Sequence, residues 1–558
     1  MGQVSDQAPA ATPMAAAAPG GILAGMGVAA ALPYFLAAIV IGLAQGLGQG
    51  FVSANIPQIA GDLGVSTTEA SWLMAAYMVP RATLPLMLIK LRTQFGLRRF
   101  AEVSILVFTA VAFAALWISD LRSAVVVQFL SGCAAAPLST LAFLYMLEPL
   151  APQAKMRFGL PAVMAIILIG PNLARVISPS LIGDGGLAGV HFAGLGLALI
   201  SLAVVWYLPL NSPPREKVIE RGDFLSFGLI SLGFAGITIG AVMGPIRWWT
   251  DAPWIGALLA ISIAALALAV MIELARKSPL VDFRWLATPA MLHLTVTLLL
   301  FRLVLSEQST GAPRMFQVLG LAPSQMEALF AVICIAAVMG GLACVAWMKP
   351  GREAAFHAVA LTLIAAAAYM DAQSTIDTRP EQFLISQAMI GFASMLFMPP
   401  AMMMGLLAAM RKGQNYLLSF IIVFIATQSL GAVIGSGLFT TLTTRRQAFH
   451  LATLTEQLQM ADPLLQSTLA RGTALMATQN PDLAADRLQV MSQLLTQAGQ
   501  QAWVMAYNDA YFLTFLTALA ALAALLLHVL RDWLWRRWTP QPVPPASAAP
   551  DAGAQNRT

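Results

Sequence analysis

Runs of about 20 mostly apolar residues, each enough for a helix to cross a bilayer core, recur from Pro33 to Trp538. The densest interruption is Asn211 to Asp223, where turn residues meet a run of charges. About six apolar runs precede it and about eight follow. The first two of those eight form a hairpin that a second basic segment, Ala275 to Arg284, closes. The layout reads as six spans, a two-span insert and six more.

The pattern predicts helices over Pro33–Asn55, Ala70–Leu91, Phe100–Ile118, Ser123–Met146, Phe158–Ile182 and Leu187–Leu208 in the first half. The insert pair is Phe224–Ile246 and Trp254–Glu273. The second half starts near Pro289, where a missing N–H does no harm, and runs past Arg302 and Glu307 to Pro313. Glu327–Met348, Phe356–Tyr369, Phe383–Leu407, Tyr416–Leu442 and Tyr511–Leu530 follow. Helix 5 is expected to break at Gly170-Pro171 and Ser178-Pro179. The long stretch Thr443 to Gln501 is polar with apolar residues at helical spacing, which predicts short amphipathic helices.

The organisation expected is a disordered tail (1–32), a six-helix bundle (33–210), a linker with the insert (211–286), a second six-helix bundle with an outer loop at 443–505 (287–538), and a disordered tail (539–558). Composition supports this. The chain is 58% hydrophobic and 10% charged, where a soluble protein carries about a quarter charged residues, so the fold class is an all-α polytopic membrane protein. The net charge of +5 is spread over short loops, not gathered with aromatics into a patch, which argues against nucleic acid. Cys133, Cys334 and Cys344 all fall inside apolar runs and read as small buried hydrophobes.

Charge sets the expected orientation. Every second loop is basic: Arg92, Arg98 and Arg99; Lys155 and Arg157; Arg215, Lys217 and Arg221; Arg276, Lys277 and Arg284; Lys349 and Arg352; Arg411 and Lys412; then the tail. The positive-inside rule makes these loops and both termini cytoplasmic, and only an even number of spans satisfies that. No Lys or Arg precedes Arg81, so a signal peptide is not expected.

Polar residues inside spans carry the functional question. Helix 1 holds Gly42, Gln45, Gly46, Gly48, Gln49, Gly50 and Ser53, a track suited either to close helix packing or to lining a cavity. Helix 4 has Gln128 four residues before Gly132 and then Pro137. Helix 12 has Gln387 four residues before Gly391 and then Pro399. With the insert removed these are the fourth helices of two halves, a sign of the internal repeat found in transporters.

At this point the residues resemble a family. The stretch Asn55 to Gly64 (NIPQIAGDLG) with Trp72 and Tyr77, Pro279 to Arg284 (PLVDFR), and Gln317 to Ala322 (QVLGLA) are similar to the fourteen-helix drug:proton antiporters of the major facilitator superfamily. The resemblance implies two six-helix bundles around a cavity, alternating access, and proton-driven export of amphipathic compounds. This sequence departs from the family at several places. Gly48, beside Gln49, stands where an acid is common. Ile89, Thr93, Gly96 and Arg98 occupy the loop motif between helices 2 and 3, so Gly96, Arg98 and Arg99 are only a remnant of that cytoplasmic gate. Gln128 replaces the helix 4 arginine, and Ser178-Pro179 the helix 5 Gly-Pro.

Arg81, Arg175 and Arg302 fall near the middles of their helices, with Glu307 five residues beyond Arg302. Charges there belong either to buried pairs or to a wet cavity. A cavity lined by Gln49, Arg81, Gln128, Arg175, Arg302, Glu307 and Gln387 would be net positive, which favours anionic amphiphiles. Glu307 is the carboxyl closest to the middle and the expected carrier of the coupling proton, while Glu102, Glu148 and Asp371 lie near helix ends. The methionines of helix 12 suit an adaptable wall or plain core. The partners expected are a small-molecule substrate, protons, the lipid bilayer and, for the outer stretch, a periplasmic adaptor of a multi-part exporter at an inner membrane. No nucleotide-phosphate loop and no metal spacing among the five histidines is present, so neither an enzyme nor a cofactor is expected. A transport-deficient scaffold or sensor and a carrier for one anionic metabolite are the rival readings.

Overall fold

The computed structural model describes Leu23 and residues 26–183, 186–211, 214–349, 351–457, 463–476 and 483–538. The expected tail 539–558 and most of 1–32 lie outside these, and the part from Val28 is already helix.

The first six membrane helices are α1 (Val28–Ala54), α2 (the pair Thr67–Thr83 and Pro85–Phe95), α3 (Leu97–Ala114), α4 (Leu121–Leu147), α5 (Leu160–Leu181) and α6 (Ala188–Tyr207). The insert is α7 (Arg221–Arg247) and α8 (Pro253–Ala275). The last six are α9 (Pro289–Val318, with an internal break), α10 (Glu327–Trp347), α11 (Glu353–Asp371), α12 (Leu384–Lys412), α13 (Gln414–Gln457) and α14 (Leu483–Trp538). Among the described residues 13 of these are long and apolar enough to span a membrane, and the α2 pair, bent by 49°, makes 14. Pro85 explains the bend: it has no N–H to return to the carbonyl of Arg81.

Fourteen spans put the linker, Val28 and the end of α14 at one face, here the linker face. Two expectations fail against the structure. α5 runs as one helix through Pro171 and Pro179, as a membrane helix packed among others can. The stretch after Thr443 is not a set of separate small helices. α13 and α14 continue through it, joined by one short helix, Pro463–Met476. At 1.5 Å per residue α13, of 44 residues, is about 66 Å long and α14, of 56, about 84 Å, so both project far beyond a ~30 Å bilayer core. Leaving the membrane does not stop a helix; that takes a breaker, and none stands between Thr443 and Gln457. In the projection Asp509 of α14 receives Arg446 at 2.5 Å and His450 at 2.7 Å from α13.

The two halves pack alike. α1 lies on α5, α2 on α4, and α3 on α4 and α6; α9 lies on α13, α10 on α12, and α11 on α12 and α14. Lipid supplies no hydrophobic drive between helices, so close backbone approach matters. Gly46 and Gly170 let α1 and α5 touch, since a Cβ on Gly46 would stand 2.8 Å from the Cα of Gly170. Gly435 does the same for α13 against α9. Gly132 and Gly391 are matched too: a Cβ on the first would meet the Tyr77 carbonyl of α2, and one on the second the Ile333 carbonyl of α10 at 3.0 Å.

The halves meet where α5 packs on α10 and where α2 packs on α13, and α7 covers the second seam. A buried charge cluster fixes α7 there. The Lys90 ammonium of α2 reaches both carboxylate oxygens of Asp223 at 2.8 Å, and Arg276 reaches Asp223 at 2.8 Å and Glu273 at 2.9 Å. Glu220 sits just outside the membrane segment, its carboxyl held below the usual range by hydrogen bonds from Ser278 and Arg276.

Candidate functional site

The site begins with the break in α9. Regular helix ends at Val304 and a wider π turn, Glu307–Gly311, precedes the final segment Ala312–Val318. Pro313 lacks the N–H that would bond the carbonyl of Ser309. That free carbonyl accepts from a terminal nitrogen of Arg175 on α5 at 3.0 Å, and the same guanidinium lies 4.9 Å over the ring of Phe330 on α10. Arg175 is thus a bridge between the halves.

The break also separates two residues that the sequence sets five apart. Arg302 turns to α13, where its Nε donates to the Gln428 carbonyl at 3.2 Å. Glu307 turns into the second bundle and is fully buried, and neither carboxyl oxygen has a hydrogen-bond partner among the described residues. Its neighbours there are the Asp371 carboxyl at the end of α11 and Thr514 of α14, whose hydroxyl donates to the Ala510 carbonyl. Asp371 is 2% exposed and receives the Gln387 amide at 2.7 Å, while the Gln387 carbonyl receives Gln308 at 2.9 Å. Phe316, Phe383, Phe439, Tyr507 and Tyr511 belong to one buried cluster with Ala312 of α9, just beyond the π turn, and Ala372, next to Asp371, packs against it. Two carboxylates side by side away from water are not both ionised.

Arg81 of α2 donates to the hydroxyl of Tyr77 at 3.3 Å, and Tyr77 in turn donates to the Gln45 carbonyl at 3.3 Å. Arg81 and Arg302, from opposite halves, approach the same stretch of α13: Arg302 lies on Gln428 and Gly431, and Tyr77, the partner of Arg81, shares a cluster with Val433 and Ile434. Neither they nor Arg175 has a carboxylate within 4.0 Å among the described residues.

The other expected site residues scatter. Gln49 and Gln128 are half-buried away from the carboxyl pair. Gly42, Gly46 and Gly50 serve packing on α5, while Gln45 is buried and accepts from Ser139 at 3.1 Å. Gly96 takes a positive φ of 85° between α2 and α3, and Arg98 pairs with Glu102 at 2.9 Å on the surface beside exposed Arg99. The buried link from the foot of α2 is Lys90 to Asp223, beside backbone donors of the linker that reach Thr93 and Gln94. Asp371 was read only as a carboxyl near a helix end and Tyr77 only as part of the family resemblance, while Lys90 with Asp223 and Thr514 escaped the sequence reading. A lysine inside an apolar run was a usable signal for Lys90, whereas nothing in the sequence marks Thr514. No set of three His, Cys, Asp or Glu side chains able to hold a metal is found among the described residues.

Comparison with known proteins adds the family. The sequence model of the Major Facilitator Superfamily matches residues 35–436. The chain belongs to that superfamily. Among its superfamily relatives, the uncharacterised transporter YhcA of Bacillus subtilis (strain 168) is 25% identical over 83% of this chain and 86% of its own length. The fatty acid resistance protein FarB of Neisseria gonorrhoeae is 25% identical over 41% of this chain and 44% of its own. The multidrug export protein EmrB of Escherichia coli (strain K12) is 24% identical over 43% and 46%. Among solved superfamily folds, a proton-dependent oligopeptide transporter aligns with a TM-score of 0.54 at 13% identity, over 91% of this chain and 100% of that one. The human organic anion transporter MFSD10 aligns at 0.53 and 11% identity, over 88% and 98%. The protein is a membrane transporter of this fold and not an enzyme.

Proposed function

We propose that the protein exports amphipathic small molecules in exchange for protons, by alternating access of a site between the two bundles, with Glu307 and Asp371 as the proton carrier. The observation that carries this is the buried carboxyl pair, closed off from water and short of a donor. The pair lies in the half of the second bundle away from the linker face, so it loads from that side. The partial likeness to FarB and EmrB supports export of amphipathic compounds.

Coupling runs through α9. Glu307 and the Ser309 carbonyl belong to the same π turn, so loss or gain of the shared proton moves the acceptor of Arg175. Substrate and proton then need no common ligand. This replaces direct competition at one positive cavity, because Arg302 and Glu307 face different neighbours.

The linker face and both termini are cytoplasmic in this reading, on the strength of the basic loops there, and the membrane is an inner membrane. The projection of α13 and α14, with the short helix Pro463–Met476, then stands in the periplasm, with Phe449, Leu475 and Leu488 exposed on these three, a surface suited to an adaptor. The two bundles at 33–210 and 287–538, with the insert between, move as the alternating units. The test is transport in proteoliposomes under an imposed pH gradient with anionic and cationic amphiphiles. Uptake into inverted vesicles that collapses with the gradient supports exchange for protons; uptake indifferent to the gradient rejects it.

A further inference from the structure

Two guanidinium groups remain without an assigned task. Arg81 comes from α2, next to its bend, and Arg302 from α9, next to its break, so irregular backbone flanks both. Each is half-buried. Arg81 spends one nitrogen on the Tyr77 hydroxyl and Arg302 its Nε on a backbone carbonyl. The two terminal nitrogens of Arg302 make no hydrogen bond to the chain among the described residues, and they are not among its closed-off polar atoms. Two like charges near each other in mid-membrane, with no carboxylate beside either, are an arrangement that an isolated protein does not favour. A bound anion removes the repulsion and supplies the missing acceptors.

Apolar surface adjoins them. Tyr77 packs with Met74 of α2 and with Val433 and Ile434 of α13, and Met74 and Ile434 are half-buried. Gly431 lies against Arg302, where a Cβ would stand 3.0 Å from the arginine Cβ, so the glycine lets the base of the Arg302 side chain pass close to α13.

We propose that Arg81 and Arg302 form an anion subsite between the bundles, which takes the carboxylate or sulfonate head of an amphipathic substrate while Met74 and Ile434 receive its apolar part. The inference rests on the export reading above and names its substrate class. The head group contacts one arginine from each half, so the subsite is complete only when the halves are close.

The probes are pyrenesulfonate, permanently anionic, and (pyrenylmethyl)trimethylammonium, permanently cationic, which share one apolar body. Binding is read by fluorescence anisotropy on the full-length protein in nanodiscs of zwitterionic lipid, without a proton gradient. The wild type is expected to bind the sulfonate and to bind the ammonium weakly or not at all. Arg81→Gln and Arg302→Gln are each expected to weaken sulfonate binding about tenfold or more, the loss for one hydrogen bond between charged groups. Arg81→Lys and Arg302→Lys, which keep the charge, retain part of the affinity and show that the loss is not misfolding. Equal binding of both probes by the wild type, or unchanged sulfonate binding in both glutamine variants, overturns the proposal. Loss of affinity in the lysine variants equal to that in the glutamine variants also overturns it, since charge would then not be what binds. Because this is an equilibrium measurement, sulfonate binding with no gradient-driven transport defeats the antiport reading and leaves the subsite. Gradient-driven transport of cations alone does the reverse.

Discussion

The side-chain amide of Gln387 lies 2.7 Å from a carboxylate oxygen of Asp371, and its backbone carbonyl accepts from Gln308 at 2.9 Å. One residue of α12 therefore holds the acid at the end of α11 and the residue that follows Glu307 on α9. The proton pair is built from three helices that the linear order keeps apart.

Gln387→Ala removes the donor to Asp371 and is expected to lower stability by about 2 kcal/mol, the scale for a buried group left without its partner. Asp371→Asn in the same protein should cost less than in the wild type. A double-mutant cycle by thermal unfolding in nanodiscs measures this; additive effects would separate the two residues.

Arg175→Ala removes a charge-assisted hydrogen bond and a ring contact that span the halves. The seam between α5 and α10 should open about tenfold more often. Cys334 reports on it, because its thiol lies against the Ile169 carbonyl of α5 at 4.0 Å. With Cys133 and Cys344 changed to Ser, maleimide labelling of Cys334 should accelerate in the alanine variant. An unchanged rate would show that Arg175 does not hold the seam.

Lys90→Met leaves Asp223 with Arg276 as its one cation in a fully buried position. Breaking such a cluster costs about 3 kcal/mol, and Lys90→Met with Asp223→Asn should cost less because the stranded charge goes too. Thermal unfolding of the single and double variants decides. A double variant less stable than Lys90→Met would show that Asp223 is held by Arg276 alone.

Tags at residue 216 and at the C-terminus should report the cytoplasm and a tag near residue 475 the opposite side, as the alternating basic loops require. Tags at 216 and 475 on the same side would break the fourteen-span topology. An adaptor captured by the full chain should be lost on deletion of residues 446 to 500, and capture that survives would place its docking elsewhere.

Much of the fold was legible because a bilayer demands long apolar helices, and their spacing is visible in one dimension. The spans, the insert and the repeat of Gly132 with Gly391 came from that. Helix ends were misread where α13 and α14 continue into water, since apolar length marks the membrane and not the helix. The site was legible residue by residue but not as an arrangement. Arg302 and Glu307 are neighbours in sequence and diverge because of the π turn, whose cause, Pro313, is visible while its direction is not. Asp371 looked peripheral because it ends its helix, and its burial depends on Gln387 and the aromatic wall from other helices.

The central claim is that Glu307 and Asp371 carry the coupling proton. It is tested most directly by comparing Glu307→Gln, Asp371→Asn and the wild type in proteoliposomes, with gradient-driven uptake and gradient-free substrate exchange measured on the same preparation. The prediction is that both variants lose uptake driven by the pH gradient and keep exchange, because binding and alternation survive while the proton has no carrier. Gradient-driven uptake at the wild-type rate in Glu307→Gln would contradict it.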